Sequence, residues 1–123
     1  MTQPLALVFY ERLMPGSQLV NRLQDLKYRV EIVNDLALLQ HCAQTGGPML
    51  VFVDLESNHG DVCQAIAGLK SDAITQHVPV VAFGGELTSD LQAAAQKAGA
   101  KLVVGDAALL NHLPELLDQA LQE

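Results

Sequence analysis

Five short apolar runs punctuate the chain, Leu5–Phe9, Arg29–Val33, Met49–Val53, Val78–Phe83 and Lys101–Val104, and the stretches between them carry helical patterns. Runs that alternate with helices build βα units, and such units join strands in parallel because each helix carries the chain back to the end of the sheet where it started. The third and fourth runs are continuous, as strands covered on both faces must be. Arg29-Val-Glu-Ile-Val33 instead alternates, which predicts an edge strand. Val8, Val51, Val53, Val80 and Val81 are the expected core of the sheet.

The helices between these runs have readable ends. Pro15 can open the first, in which Leu19, Leu23 and Leu26 keep one face apolar, and Asn34 or Asp35 can cap the second before Leu36 and Leu39. Gly46-Gly47-Pro48 stops the second helix. Asp61 is the candidate cap of a third with Val62, Ile66 and Leu69 inward, and Ser89 that of a narrow-sided fourth running to a C-cap at Gly99. A last helix is expected over about Leu109 to Leu121, with Pro114 in its first turn, where no N–H partner is lost.

A chain of 123 residues fits a single domain, expected here over 1–123 with any effector on a separate polypeptide. Half the residues are apolar and only 4% aromatic, without Trp, so the core must be aliphatic, which suits a parallel sheet between helices. A net charge of −7 argues against binding a phosphate backbone, since that affinity comes from clustered Lys and Arg. The charge is uneven: residues 71–123 carry Asp72, Glu86, Asp90, Asp106, Glu115, Asp118 and Glu123 against Lys97 and Lys101. Cys42 and Cys63 form no C-x-x-C pair or zinc pattern and read as small apolar residues. No run reaches the length of a membrane span and no leader pattern opens the chain, so the expected setting is the cytoplasm.

Asp54 is the one residue that looks placed for chemistry. It closes Met49–Val53, and in an open α/β sheet the carboxyl ends of the strands are where ligands sit. The plainer reading is a rim carboxylate that hydrogen-bonds loop amides. Glu11 beside Arg12 reads equally as a solvated loop acid, Asp106 after Gly105 as a cap or turn residue, and Gly84-Gly85 as a turn out of a strand. No dinucleotide or P-loop glycine pattern occurs, and His41, His59, His77 and His112 are scattered as surface histidines are. No nucleophile stands next to a base, so no enzyme activity is indicated.

Taken together, Pro48-Met-Leu-Val-Phe-Val-Asp54-Leu55, Leu69-Lys-Ser-Asp72 through Val78-Pro-Val-Val-Ala82, and Ala98-Gly-Ala100 leading into the fifth run resemble the receiver domain of two-component response regulators over essentially the whole chain. The resemblance implies a flavodoxin-like (βα)5 sheet of order 2-1-3-4-5, with Asp54 in the phosphoacceptor position. It also implies an acidic pair after the first strand that holds Mg²⁺ together with the phosphoacceptor and a main-chain carbonyl, matched here by Glu56. That pair reads Tyr10-Glu11: Glu11 could still reach a cation, but Tyr10 supplies a neutral phenol where a second carboxylate belongs.

The family's hydroxyl residue at the end of the fourth strand is matched by Gly84, its fifth-strand Lys by Asp106, and its switching aromatic by Val103. Asp106 reverses the sign of a group that should attract a phosphoryl dianion. The expectation is a degenerate receiver, a pseudo-receiver with no cofactor, that works as a protein–protein interaction module of a phosphorelay or related signalling pathway. Its expected contact surface is the fourth helix, fifth strand and fifth helix, whose acidity calls for a basic protein partner rather than nucleic acid or membrane. The alternative is a working phospho-receiver that accepts a phosphoryl group on Asp54, with Mg²⁺ held by Glu11, Asp54 and Glu56. A small flavodoxin-like binding protein is a third reading, which predicts a bound chromophore or nucleotide.

Overall fold

The computed structural model describes residues 5–10, 13–33, 36–46, 48–55, 62–84 and 89–121. Along the chain run β1 (Leu5–Phe9), α1 (Leu13–Asp25), β2 (Arg29–Val33), α2 (Leu36–Gly46), β3 (Leu50–Asp54), α3 (Val62–Ser71), β4 (Val80–Gly84), α4 (Ser89–Ala98), β5 (Leu102–Gly105), α5 (Asp106–Asn111) and α6 (Leu113–Leu121). The five strands form one parallel sheet of order β2-β1-β3-β4-β5, the flavodoxin-like order expected.

Every residue of β1, β3 and β4 is buried, because successive side chains go to opposite faces and both faces are covered. Leu7, Phe9, Val51, Val53, Val80 and Ala82 meet one layer, made by Leu39 and Ala43 of α2, Ile66 and Leu69 of α3 and Ala95 of α4. Ala6, Val8, Leu50, Phe52, Val81 and Phe83 meet the other, made by Leu19 and Leu23 of α1, Leu109 of α5 and Leu113 and Leu117 of α6. All five valines expected in the core are there.

At the edge, β2 departs from simple alternation. Val33 is its only buried residue, while Ile32 remains 50% exposed, since no strand lies beyond β2 to help cover it.

Two helix readings are corrected. The last helix does not run unbroken from Leu109 to Leu121; the chain forms α5 and α6 with a break at His112. Pro114 has no N–H to give to the carbonyl of Leu110, so His112 N–H closes α5 on Ala108 and the carbonyl of His112 starts α6 by accepting from Leu116. Pro114 does sit in the first turn, but of α6. Leu26 is not part of the apolar face of α1: the helix ends at Asp25, Tyr28 N–H bonds the carbonyl of Leu23, and Lys27 takes a left-handed φ of 72°, which leaves Leu26 38% exposed. The expected caps Asn34, Asp35 and Asp61 lie outside the described residues.

The turn at Gly99 behaves as read. Its φ of 124° suits glycine alone, and its N–H and that of Ala100 close α4 on the carbonyl of Ala95. A Cβ at Gly99 would stand 2.5 Å from Cγ of Lys70, whose stem crosses the turn while its Nζ donates to the carbonyls of Val78 (2.7 Å) and Gln76 (3.3 Å). Partial burial, with the Lys101 charge nearby, pulls the Lys70 amine below the usual lysine range. No helix among the described residues is long and apolar enough to cross a membrane.

Val51→Asp places an unpaired carboxylate at the centre of the sheet and should cost more than about 3 kcal/mol. Thermal unfolding followed by circular dichroism reads it, and a melt like that of the native chain would contradict the assignment of β3.

Candidate functional site at the carboxyl ends of the strands

β3, β4 and β5 end at Asp54, Gly84 and Gly105 on one rim, with Tyr10 directly after β1 and Asp106 directly after β5. The register makes their spacing definite. Phe9 pairs with Val53, Asp54 with Phe83, and Gly84 with Gly105. Strand alternation therefore puts Asp54 on the same side of the sheet as Phe83, facing the α1–α5–α6 layer, and half-buried Tyr10 packs against that layer too.

Asp54 has 0% of its surface exposed, and Thr75 is the one other polar residue among the described ones to be so enclosed. Among those residues no buried side-chain nitrogen or oxygen lacks a hydrogen-bond partner, so Asp54 is a satisfied, shielded carboxylate. Phe83, itself fully buried, is its immediate strand neighbour. Phe83 closes the run Val78–Phe83 one residue before Gly84, and only the strand pairing brings it beside Asp54.

Next to this carboxylate the rim is bare backbone. A Cβ on Gly105 would find the carbonyl oxygen of Gly84 as its nearest neighbour, at 3.9 Å, so Gly105 is not forced by crowding. Asp106 is half-buried at the first position of α5, where its charge suits the exposed N–H groups of the first turn; the N-cap is Gly105, which gives no side-chain bond. β4 lies between β3 and β5, which separates the Asp54 and Asp106 positions by two strand spacings, about 10 Å. Val103 is half-buried opposite Ala82 and, like Leu91 and Ala98 of α4, packs against the core.

Glu11, Glu56, Gly85 and His59 lie outside the described residues. Among the described ones no three His, Cys, Asp or Glu side chains come together as a metal could use them. Of the three ligands expected for Mg²⁺, Asp54 alone lies among the described residues, and Tyr10 and Asp106, the latter two strand spacings away, do not complete an octahedral oxygen set with it. His41, His77 and His112 are on the surface, and Nδ1 of His112 lies 3.3 Å from Oε2 of Glu115. Cys42 is a free, half-buried thiol packed on the core.

The acidic face is also revised. Asp72 does not belong to it: its carboxylate accepts from Ile74 N–H at 2.9 Å, from Gln44 and from Gln40 at 3.0 Å, so it faces α2, and these bonds, Ile74 first, hold its carboxyl below the usual range. Of the described residues from α4 onward, Asp90, Asp106, Glu115 and Asp118 stand against Lys97 and Lys101, a net of −2. The break at His112 opens a hollow of about 260 Å³ between α1 and the last two helices, lined by Arg22, Leu26, Leu110 and Pro114, apart from the rim.

No protein-family model and no curated protein matches the chain. Solved structures do. It is similar to the signal receiver domain of the DNA-binding response regulator merR from Colwellia psychrerythraea 34H, at 20% identity and TM-score 0.80 over 94% of this chain and 99% of that one. Similar too are the BeF3-activated N-terminal receiver domain of Klebsiella pneumoniae RstA (13%, TM-score 0.85, 97% and 99%) and the Vibrio cholerae chemotaxis protein CheY4 (14%, TM-score 0.86, 97% and 99%). Likeness at such identities carries the fold, which is that of receiver domains.

If Tyr10 and Asp106 spoil the cation site, Mg²⁺ at about 10 mM should leave the melting temperature unchanged, because a ligand stabilises only by RT ln(1 + [L]/Kd) and Kd would exceed the dose. A rise in melting temperature that disappears in Asp54→Asn would reveal a cation site at this rim.

Proposed function

We propose that the chain serves signal transduction as a receiver-like module that binds a protein partner without normal aspartyl phosphorylation and without enzymatic activity of its own. The observation that carries this reading is the rim itself: a fully shielded Asp54 on the rim shared by Tyr10, Gly84 and Asp106, residues that the receiver resemblance matches to a carboxylate, a hydroxyl and a cation. A phosphoryl donor must bring phosphorus to a carboxylate oxygen, and an oxygen without solvent access offers no path for in-line attack. Among the described rim residues Tyr10, Asp54, Gly84 and Asp106 there is no ammonium, so none of these side chains would compensate the charge of an added dianion.

The contact surface in this reading is α4, β5 and the α5–α6 pair, and its partner presents basic groups to Asp90, Asp106, Glu115 and Asp118. Electrostatic matching of this type speeds association more than it deepens affinity. Raising salt from about 50 to 500 mM should therefore lower the association rate for the partner visibly, as followed by stopped flow or biosensor kinetics; a salt-independent rate would move the contact elsewhere.

The competing reading, a phospho-receiver that uses Asp54, is favoured by the place of that carboxylate at the end of β3. The two are separated by adding Mg²⁺ with acetyl phosphate, or with beryllofluoride, the mimic that activates the RstA receiver, and recording intact mass and amide NMR shifts. The native chain should give no adduct and no shift. Tyr10→Asp, Gly84→Thr and Asp106→Lys together restore cation binding and charge pairing and should make the protein responsive. An Asp54-dependent adduct on the native chain would establish the phospho-receiver instead.

A further inference from the structure

β2 is an edge strand whose own sequence is its complement. Read outward from Val30, the residues on either side are Arg29 and Glu31, then Tyr28 and Ile32. Their sides are set by the fold. Val30 and Tyr28 pack toward the α1 layer, and Ile32 shares that parity; Val33 packs toward the α2 layer, and Oε2 of Glu31 lies 3.8 Å from where a Cβ on Gly46 of α2 would stand, so Arg29 and Glu31 share the other side. Arg29, Glu31 and Ile32 are exposed, and neither charge is in an ion pair with another described residue.

We propose that β2 is a self-association edge: a second copy of this chain pairs its own β2 antiparallel to it, about a two-fold axis through Val30, and the two sheets become one of ten strands. In that register Arg29 stands opposite Glu31 of the second copy and Glu31 opposite its Arg29, giving two identical ion pairs on one side. On the other side Val30 meets Val30, and Ile32, which this chain alone leaves half in water, meets Tyr28. A slip of two residues in either direction sets Arg29 against Arg29 or Glu31 against Glu31. A slip of one sets charges opposite apolar residues.

A strand edge offers unpaired N–H and C=O groups to any extended segment, and single-sign charge is the usual means of blocking that. Here the signs alternate, which favours the register centred on Val30 over its neighbours. The contact is small, so association is weak and is read between about 10 μM and 1 mM protein. It leaves β5 and α4, at the opposite edge, uncovered, and it does not depend on how the strand-end rim functions.

Sedimentation velocity over that range should show the native chain moving from monomer toward dimer. Arg29→Glu alone and Glu31→Arg alone each turn both pairs repulsive and should weaken dimerisation by about tenfold or more. Both changes sit on the exposed edge, and circular dichroism confirms that each variant is folded. An equimolar mixture of the two single variants restores opposite charges across the axis and should dimerise as the native chain does, as should the double variant Arg29→Glu with Glu31→Arg. A native chain that stays monomeric to 1 mM overturns the proposal. So does a dimer that ignores both reversals, which would place self-association on another face such as α4 and β5.

Discussion

Burial on both faces of β1, β3 and β4 governs where everything else in the molecule can be. Strands without a solvated side need a helical layer above and another below, and the alternation of side chains divides the core into two sets that never meet through the sheet. α2, α3 and α4 serve one set; α1, α5 and α6 serve the other. The order β2-β1-β3-β4-β5 follows, with the most apolar strands inside and the charged Arg29–Val33 at an end. Asp54 inherits its enclosure from this arrangement, being the last residue of the middle strand.

At the rim the backbone and the side chains tell different stories. Strand ends are placed by the sheet, so Tyr10, Asp54, Gly84 and Asp106 come to one rim whatever their chemistry. The chemistry is then set residue by residue: a phenol leaning into the α1 layer, a carboxylate walled by Phe83, a glycine without a hydroxyl, and an acid whose role is met locally by the first turn of α5. The fold thus fixes where these side chains stand, and the residue types alone set what can be done there.

The elements that could be read from the chain were those whose cause is local. Met49–Val53 and Val78–Phe83 announce two-sided burial by composition alone, and Gly99 announces a helix end by being the residue that tolerates a positive φ. What could not be read depends on distant neighbours. The full burial of Asp54 is reached beside Phe83, its partner on the neighbouring strand. Asp72 looked like part of an acidic C-terminal face, yet Gln40 and Gln44, some 30 residues earlier, claim it for α2. Pro114 is compatible both with one helix that starts late and with two that meet at His112, and Ala108 and Leu116 decide between them through their hydrogen bonds.

α4 is attached more lightly than the other long helices. Ala95 is its one fully buried residue, and Ala93 and Ala94 are exposed, so little apolar area holds it to the sheet. Local opening free energies follow the buried contact that each unit must give up. Amide protons of α4 should accordingly exchange with solvent well before those of β3, and the helix can lift while the sheet beneath it stays folded. A partner that grips α4 thus meets a segment whose ordering it can itself complete.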